Sequence, residues 1–193
     1  MQDYKPLTLV FLFFIFSFFG WCLEVVLFLL LTHSFINRGT LTGPWLPIYG
    51  MGCVTILVVF TKTKWRKYLN NPMILFLLIA LICGIIEYAS SYFVELVTGL
   101  RYWDYVGHFL NINGRVCFEG LCEFGLGGLI SIHIVGPRLN KHISAMKTKT
   151  VIIIVAILSV LFSIDFMYSK AHPRIGYGIT GALIDKNGNP IEN

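Results

Sequence analysis

Charged side chains are scarce in this 193-residue sequence. Asp, Glu, Lys and Arg together make up 13% of it, whereas a typical soluble domain has about 25%. Hydrophobic residues reach 56% and aromatic residues 15%. This balance excludes an ordinary soluble protein and predicts an all-α, polytopic membrane bundle.

Several chemical signatures are also absent from the sequence. It has no GxxxxGK[ST] phosphate loop, no GxSxG nucleophile turn and no HExxH zinc motif. The five cysteines show no CxxC spacing, so we interpret them as small packing residues. No nucleic-acid-binding signature is found. The chain therefore cannot hydrolyse ATP through its own phosphate loop, whereas enzyme activity of another kind stays open.

Apolar runs divide the chain into four clear spans and one short segment. The clear spans are 7–31, 73–97, 116–135 and 151–168. Segment 48–60, of about 13 residues, follows a Gly/Pro-rich stretch and either spans or re-enters. We predict five transmembrane helices, with four plus one re-entrant helix as the alternative. Residues 1–168 would form one transmembrane domain, and residues 169–193 a polar C-terminal tail.

Positive charge is unevenly distributed over the connections. Loops 61–71 and 136–150 carry four Lys or Arg each, which predicts that both are cytoplasmic. With five spans the N-terminus is also cytoplasmic, and every acid in the spans lies in the outer half of the membrane. With a re-entrant segment, the N-terminus and loop 32–47 change sides. We favour five spans because they bring the acids together.

Six carboxylates lie inside or at the rim of apolar segments, where an uncompensated acid is costly. They are Glu24, Glu87, Glu95, Glu119, Glu123 and Asp165. Glu119 and Glu123 are spaced i, i+4 and so share one helix face. One interpretation is a structural network in which outer-loop arginines neutralise the acids. The other is an outward-open, acid-lined cavity that binds a cation or cationic solute.

Several ordered motifs resemble a known family. They are Gly20-Trp21-Cys22-Leu23-Glu24, Arg38-Gly39 to Gly43-Pro44, Pro47-Ile48-Tyr49-Gly50, Glu87-Tyr88, Trp103-Asp104-Tyr105 and Asn111 to Arg115. Over residues 10–135 the sequence is similar to the bacterial putative ABC-transporter type IV permeases, the CmpB-like group. The resemblance implies a transport-type protein of the bacterial cytoplasmic membrane and a separate ATPase subunit.

The leading functional hypothesis is a permease whose outer site binds a cation or cationic solute. The predicted binding residues are Glu24, Glu87, Glu119, Glu123, Asp104, Trp103, Tyr105, Arg101, Arg115 and Tyr49. The alternatives are a metal-dependent membrane enzyme acting on lipid or isoprenoid headgroups and a non-catalytic accessory subunit. For a metal site, His33 or His108 could join the acids. Expected partners are the lipid bilayer and the ATPase subunit, with a homo-oligomer left open.

Overall fold

The computed structural model describes residues 3–176 and 179, together with the backbone of 183–184 and 190–191. Its helices are α1 (Pro6–Thr32), α2 (Pro47–Lys62), α3 (Pro72–Thr98), α4 (Phe118–Ile130), α5 (Gly136–Ala145) and α6 (Thr148–Ala171). A short 3₁₀ helix, Lys64–Tyr68, follows α2, and a π-helical turn, Ser131–Val135, joins α4 to α5. Strands β1 (Leu183–Ile184) and β2 (Pro190–Ile191) pair antiparallel.

The predicted all-α membrane bundle is confirmed. Four helices of the described chain are long and apolar enough to cross a membrane: α1, α3, the continuous 28-residue helix Phe118–Ala145, and α6. Helix α2 is the shorter apolar helix, with 16 residues, about 24 Å at 1.5 Å per residue. Together these make the five helices expected from the apolar runs.

Proline and asparagine mark where helices begin. Helices α1, α2 and α3 each have a proline in the first turn, where the missing backbone N–H has no helical acceptor to lose. Asn71 caps α3 because its Oδ1 accepts from the Ile74 N–H at 3.1 Å. Gly99 ends α3 at φ 70°, the left-handed conformation that suits glycine.

The prediction of a loop from residue 136 is wrong, because the helix continues to Ala145. The polar residues after Val135 belong to an amphipathic extension in which Ile143 is buried in the core and Arg138 is exposed. Pro137 would disrupt a regular helix. The π-helical turn accommodates it: the Gly136 N–H donates to the Ser131 carbonyl, five residues back.

The helices bring the predicted connections to two opposite ends of the bundle. At one end, Lys62 of α2 lies 3.9 Å from the Asp3 carboxylate, and Asn140 of α5 donates to the Asp3 carbonyl at 3.4 Å. This end collects the lysine- and arginine-rich segments, and we call it the basic end. The opposite end carries loops 33–46 and 99–117. Because Glu95, Glu119 and Asp165 of the helices lie beside these loops, we call it the acidic end.

Helix α2 packs closely against the middle of α1. The Tyr49 ring lies against Gly20, and Gly50 faces Phe13 and the fully buried Ser17. The Leu46 N–H donates to the Ser17 carbonyl at 2.9 Å, so loop 33–46 descends to the level of Ser17 before α2 begins. Small residues allow this close approach of two membrane helices.

We predict that Gly50→Ala destabilises the bundle by about 1 to 3 kcal/mol, the usual cost of overpacking. A Cβ at position 50 would lie 2.5 Å from the Phe13 carbonyl oxygen, so the backbones of α1 and α2 must separate. Reversible unfolding in mixed micelles measures the change. The matched control is Gly127→Ala, since a Cβ there meets nothing within 4 Å. Equal stability of the two variants would contradict the packing argument.

Candidate functional site

Glu24 lies on the part of α1 that faces the start of α2. Its Oε1 accepts a hydrogen bond from the Tyr49 hydroxyl at 2.7 Å. Its Oε2 lies 3.4 Å from Nε of Arg38, and the Glu24 side chain is 30% exposed. The carboxylate is therefore compensated by one neutral donor and one cation from loop 33–46.

Glu87 lies on α3 and is only 4% exposed. Its Oε1 accepts from the Tyr105 hydroxyl at 3.0 Å. Its Oε2 is buried and, within the described part of the chain, has no hydrogen-bond partner. A buried carboxylate oxygen without a partner is unusual, because the cost of desolvation is not recovered.

The two acid–tyrosine pairs are neighbours. Burial, followed by the Glu87 carboxylate and the more distant Glu24 carboxylate, raises the pKa of Tyr105 above its ordinary value. Glu123 is within electrostatic range of both Glu87 and Tyr49. The structure thus brings together five predicted residues, which we call the acid cluster: Glu24, Tyr49, Glu87, Tyr105 and Glu123.

Glu119 has different neighbours. It is exposed in the first turn of α4, beside His108 and Cys117, and one ligand atom from each of these three residues lies within 4.8 Å of the other two. The i, i+4 spacing grouped Glu119 with Glu123 in the sequence. The fold of loop 99–117 instead gives Glu119 a histidine and a cysteine as neighbours.

Arg101 and Arg115 form a network around Glu95. Both approach the same carboxylate oxygen, Arg101 through Nε at 3.0 Å and Arg115 through Nη2 at 2.9 Å. Arg115 also donates to Ser91 Oγ at 2.9 Å, and Arg101 lies 3.6 Å from Asp104. These contacts match the structural-network interpretation, and within the described part of the chain neither arginine forms an ion pair with Glu24 or Glu87.

Loop 99–117 is folded over the end of α3. The Trp103 indole donates to the Arg115 carbonyl at 3.1 Å, and the Tyr105 N–H donates to the Gly114 carbonyl at 2.8 Å. Asp104 Oδ1 accepts from the Val106 N–H at 3.0 Å. These bonds position the Tyr105 ring, so Trp103 and Asp104 support the acid cluster through Tyr105.

Two cavities of similar size lie away from the acid cluster. One, of about 310 Å³, is lined by Tyr92, Glu95, Leu96 and Arg115. The other, of about 320 Å³, lies at the basic end and is lined by Tyr4, Thr61, Leu69, Asn70, Ile132, His133 and Pro137. Neither lining includes Glu24 or Glu87. The outward-open cavity among the acids therefore stays a prediction.

The family model described as "Putative ABC-transporter type IV" (ABC_trans_CmpB) matches residues 11–170. The chain belongs to this family. The match confirms the resemblance and extends it beyond residue 135 through α6. No curated protein and no solved structure matches the chain. Family membership and four helices of membrane-spanning length make this chain a multi-pass membrane protein.

Sequence reasoning missed how the chain holds loop 33–46 in place. The Gly43 N–H donates to both oxygens of Asp165 at 3.0 Å. Arg174 donates to the carbonyls of Asn37 at 2.6 Å and Leu41 at 2.8 Å. Partners separated by 122 residues or more leave no local signal in the sequence. Asp165 is thus engaged in holding the loop rather than in the acid cluster.

We predict that Arg115→Gln lowers the stability of the protein by roughly 1.5 to 3 kcal/mol, the range for hydrogen bonds to charged groups. Arg115 is 7% exposed, and its loss leaves Glu95 with Arg101 alone. Unfolding in mixed micelles measures the effect. Arg138→Gln is the control, because Arg138 is exposed at the basic end. A loss no larger than that of the control would show that the network adds no stability.

Proposed function

We propose that this chain is a membrane permease that binds a cation or cationic solute at the acid cluster and passes it across the bilayer. The observation that carries the proposal is the buried Glu87 Oε2, which has no hydrogen-bond partner among the described residues. Family membership supports the transport role.

The charge of Glu87 needs a positive counterpart. An isolated ion inside an apolar bundle costs several kcal/mol, and a paired ion costs much less. None of the ion pairs found among the described residues involves Glu87. A bound proton or cation would supply the missing charge.

The ligands of the acid cluster are all oxygen atoms. The Tyr49 and Tyr105 hydroxyls each donate to one carboxylate, and a cation bound between the carboxylates could turn these hydroxyls into acceptors. Oxygen-only sites suit hard cations such as alkali and alkaline-earth ions, and also ammonium groups. Glu24 is partly exposed and would receive the cation first. Glu87, which is buried, would hold it deeper.

The charge of the two ends supports an orientation. Lys and Arg are concentrated in segments 61–71 and 136–150 at the basic end, which by the positive-inside rule faces the cytoplasm. The N-terminus would then be cytoplasmic in a bacterial cytoplasmic membrane. The acid cluster would open toward the outside.

The family also supports a partner. An ABC-type transporter needs an ATPase, and this sequence has no phosphate loop. A separate ATPase subunit docked at the basic end would supply the energy. The bilayer is the other partner, and a homo-oligomer stays a prediction.

We predict that Glu87→Gln abolishes cation binding while leaving the protein folded, because glutamine keeps the shape and removes the charge. The measurement is the thermal unfolding of the purified full-length chain in detergent with Na⁺, K⁺, Mg²⁺ or tetramethylammonium. A ligand at about 100 times its Kd adds about 2.7 kcal/mol of stability. That gain should be present in the natural protein and lost in Glu87→Gln. Glu24→Gln should weaken it.

Asp3→Asn is the matched control, since Asp3 is an exposed acid at the basic end. It should keep the cation-dependent gain. Equal gains in the natural protein and in Glu87→Gln, or no gain with any of the four cations, would overturn the binding proposal. A Glu87→Gln variant that is already unfolded in detergent before heating, with or without cations, would indicate that the acids serve helix packing, as in an accessory subunit.

A further inference from the structure

A second group of candidate ligands lies at the acidic end, outside the acid cluster. It consists of His108 in loop 99–117, Cys117 at the N-cap of α4 and Glu119 in the first turn of α4. We propose that these three residues bind a divalent transition metal, with Zn²⁺ as the best fit. The site would leave at least one coordination position for water or another ligand.

The geometry of the three side chains suits a metal. Their ligand atoms all lie within 4.8 Å of one another. Around a tetrahedral Zn²⁺ with bonds of 2.0 to 2.3 Å, neighbouring ligand atoms are about 3.5 Å apart. A shift of about 1 Å, within the reach of side-chain rotation, would therefore complete the site. His108 and Glu119 are exposed, so both can move and an ion can enter.

The donor set selects the class of metal. Sulfur, imidazole nitrogen and carboxylate oxygen together are the ligands that zinc proteins use. The thiolate disfavours Mg²⁺ and Ca²⁺, which prefer oxygen ligands. Binding would displace the Cys117 thiol proton to solvent, and the thiolate and the Glu119 carboxylate would then balance the two charges of the ion.

The backbone holds the two halves of the site together. The Phe118 N–H donates to the Phe109 carbonyl at 3.1 Å, and the rings of these two residues pack edge to face at 5.7 Å. The Asn111 amide donates to the His108 carbonyl at 3.0 Å. The histidine and the start of α4 are therefore adjacent before any ion binds, which lowers the conformational entropy cost of binding.

Cys117 is the buried member of the group, beside two exposed ligands. It is 2% exposed, and its Sγ accepts a hydrogen bond from the Gly120 N–H at 3.4 Å. Burial raises the pKa of the Cys117 thiol, and the Gly120 N–H only partly offsets this, so a bound metal must itself displace the thiol proton. Cys122, which lies within α4, does not belong to this group of ligands.

This site does not depend on the proposed transport function. Tyr105 lies between the two groups: its ring centroid is 5.6 Å from that of His108, and its hydroxyl donates to Glu87. The metal site and the acid cluster share no ligand. Metal binding can therefore be measured without any assay of transport.

The test uses the full-length protein in detergent, freed of metal by a chelator and titrated with Co²⁺ as a spectroscopic probe and then with Zn²⁺. We expect one Co²⁺ per chain, a thiolate-to-Co²⁺ charge-transfer absorption, and its loss when Zn²⁺ is added. Cys117→Ser should abolish the absorption while keeping an oxygen cap for α4. His108→Ala and Glu119→Gln should each weaken affinity at least about tenfold, since even second-shell changes cost that much.

Cys122→Ser and His142→Ala are matched controls, because neither residue belongs to the group and His142 is exposed on α5. Both should bind as the natural protein does. Absence of the charge-transfer absorption, or binding that Cys117→Ser, His108→Ala and Glu119→Gln leave unchanged, would overturn the proposal. Helical circular dichroism and elution volume establish that each variant is folded.

Discussion

Compensation of carboxylates inside an apolar bundle is the constraint on which the rest of this structure depends. Glu95 is fully compensated, since two arginines approach one of its oxygens. Glu24 accepts a hydrogen bond from one tyrosine and forms an ion pair with one arginine. Glu87 has a single tyrosine hydroxyl and one oxygen without a partner among the described residues. The three acids thus form a series of decreasing compensation. Only its last member calls for an external positive charge.

The connections at the acidic end are folded parts of the bundle that supply its polar contacts. Loop 33–46 delivers Arg38 to Glu24 and receives hydrogen bonds from Arg174. Loop 99–117 delivers Tyr105 to Glu87. In apolar surroundings, backbone and side-chain donors must find acceptors within the protein. Each loop is therefore held in place by its hydrogen bonds and ion pairs to the helices. A change in either loop would alter the charge balance of an acid.

Tyr105 connects the two proposed sites. Its ring lies against His108 of the candidate metal group and its hydroxyl donates to Glu87 of the acid cluster. A metal bound by His108 would restrict the motion of loop 99–117 and so hold the Tyr105 hydroxyl on Glu87. The two proposals remain independent in their evidence, because one rests on an oxygen without a partner and the other on three converging ligands.

The sequence by itself determined the membrane class, the family and the five apolar helices, because hydrophobic runs, scarce charge and ordered motifs are local properties of the chain. It also predicted Glu24, Tyr49, Glu87, Tyr105 and Glu123 as site residues; their proximity is observed, and their role in binding stays a prediction. It did not determine which acid meets which partner. Tertiary structure decided three other features: the continuation of α4 into α5, the position of Glu119 beside Cys117, and the hydrogen bonds from Arg174 to loop 33–46. These features depend on contacts between distant segments, and only the packed bundle brings those segments together.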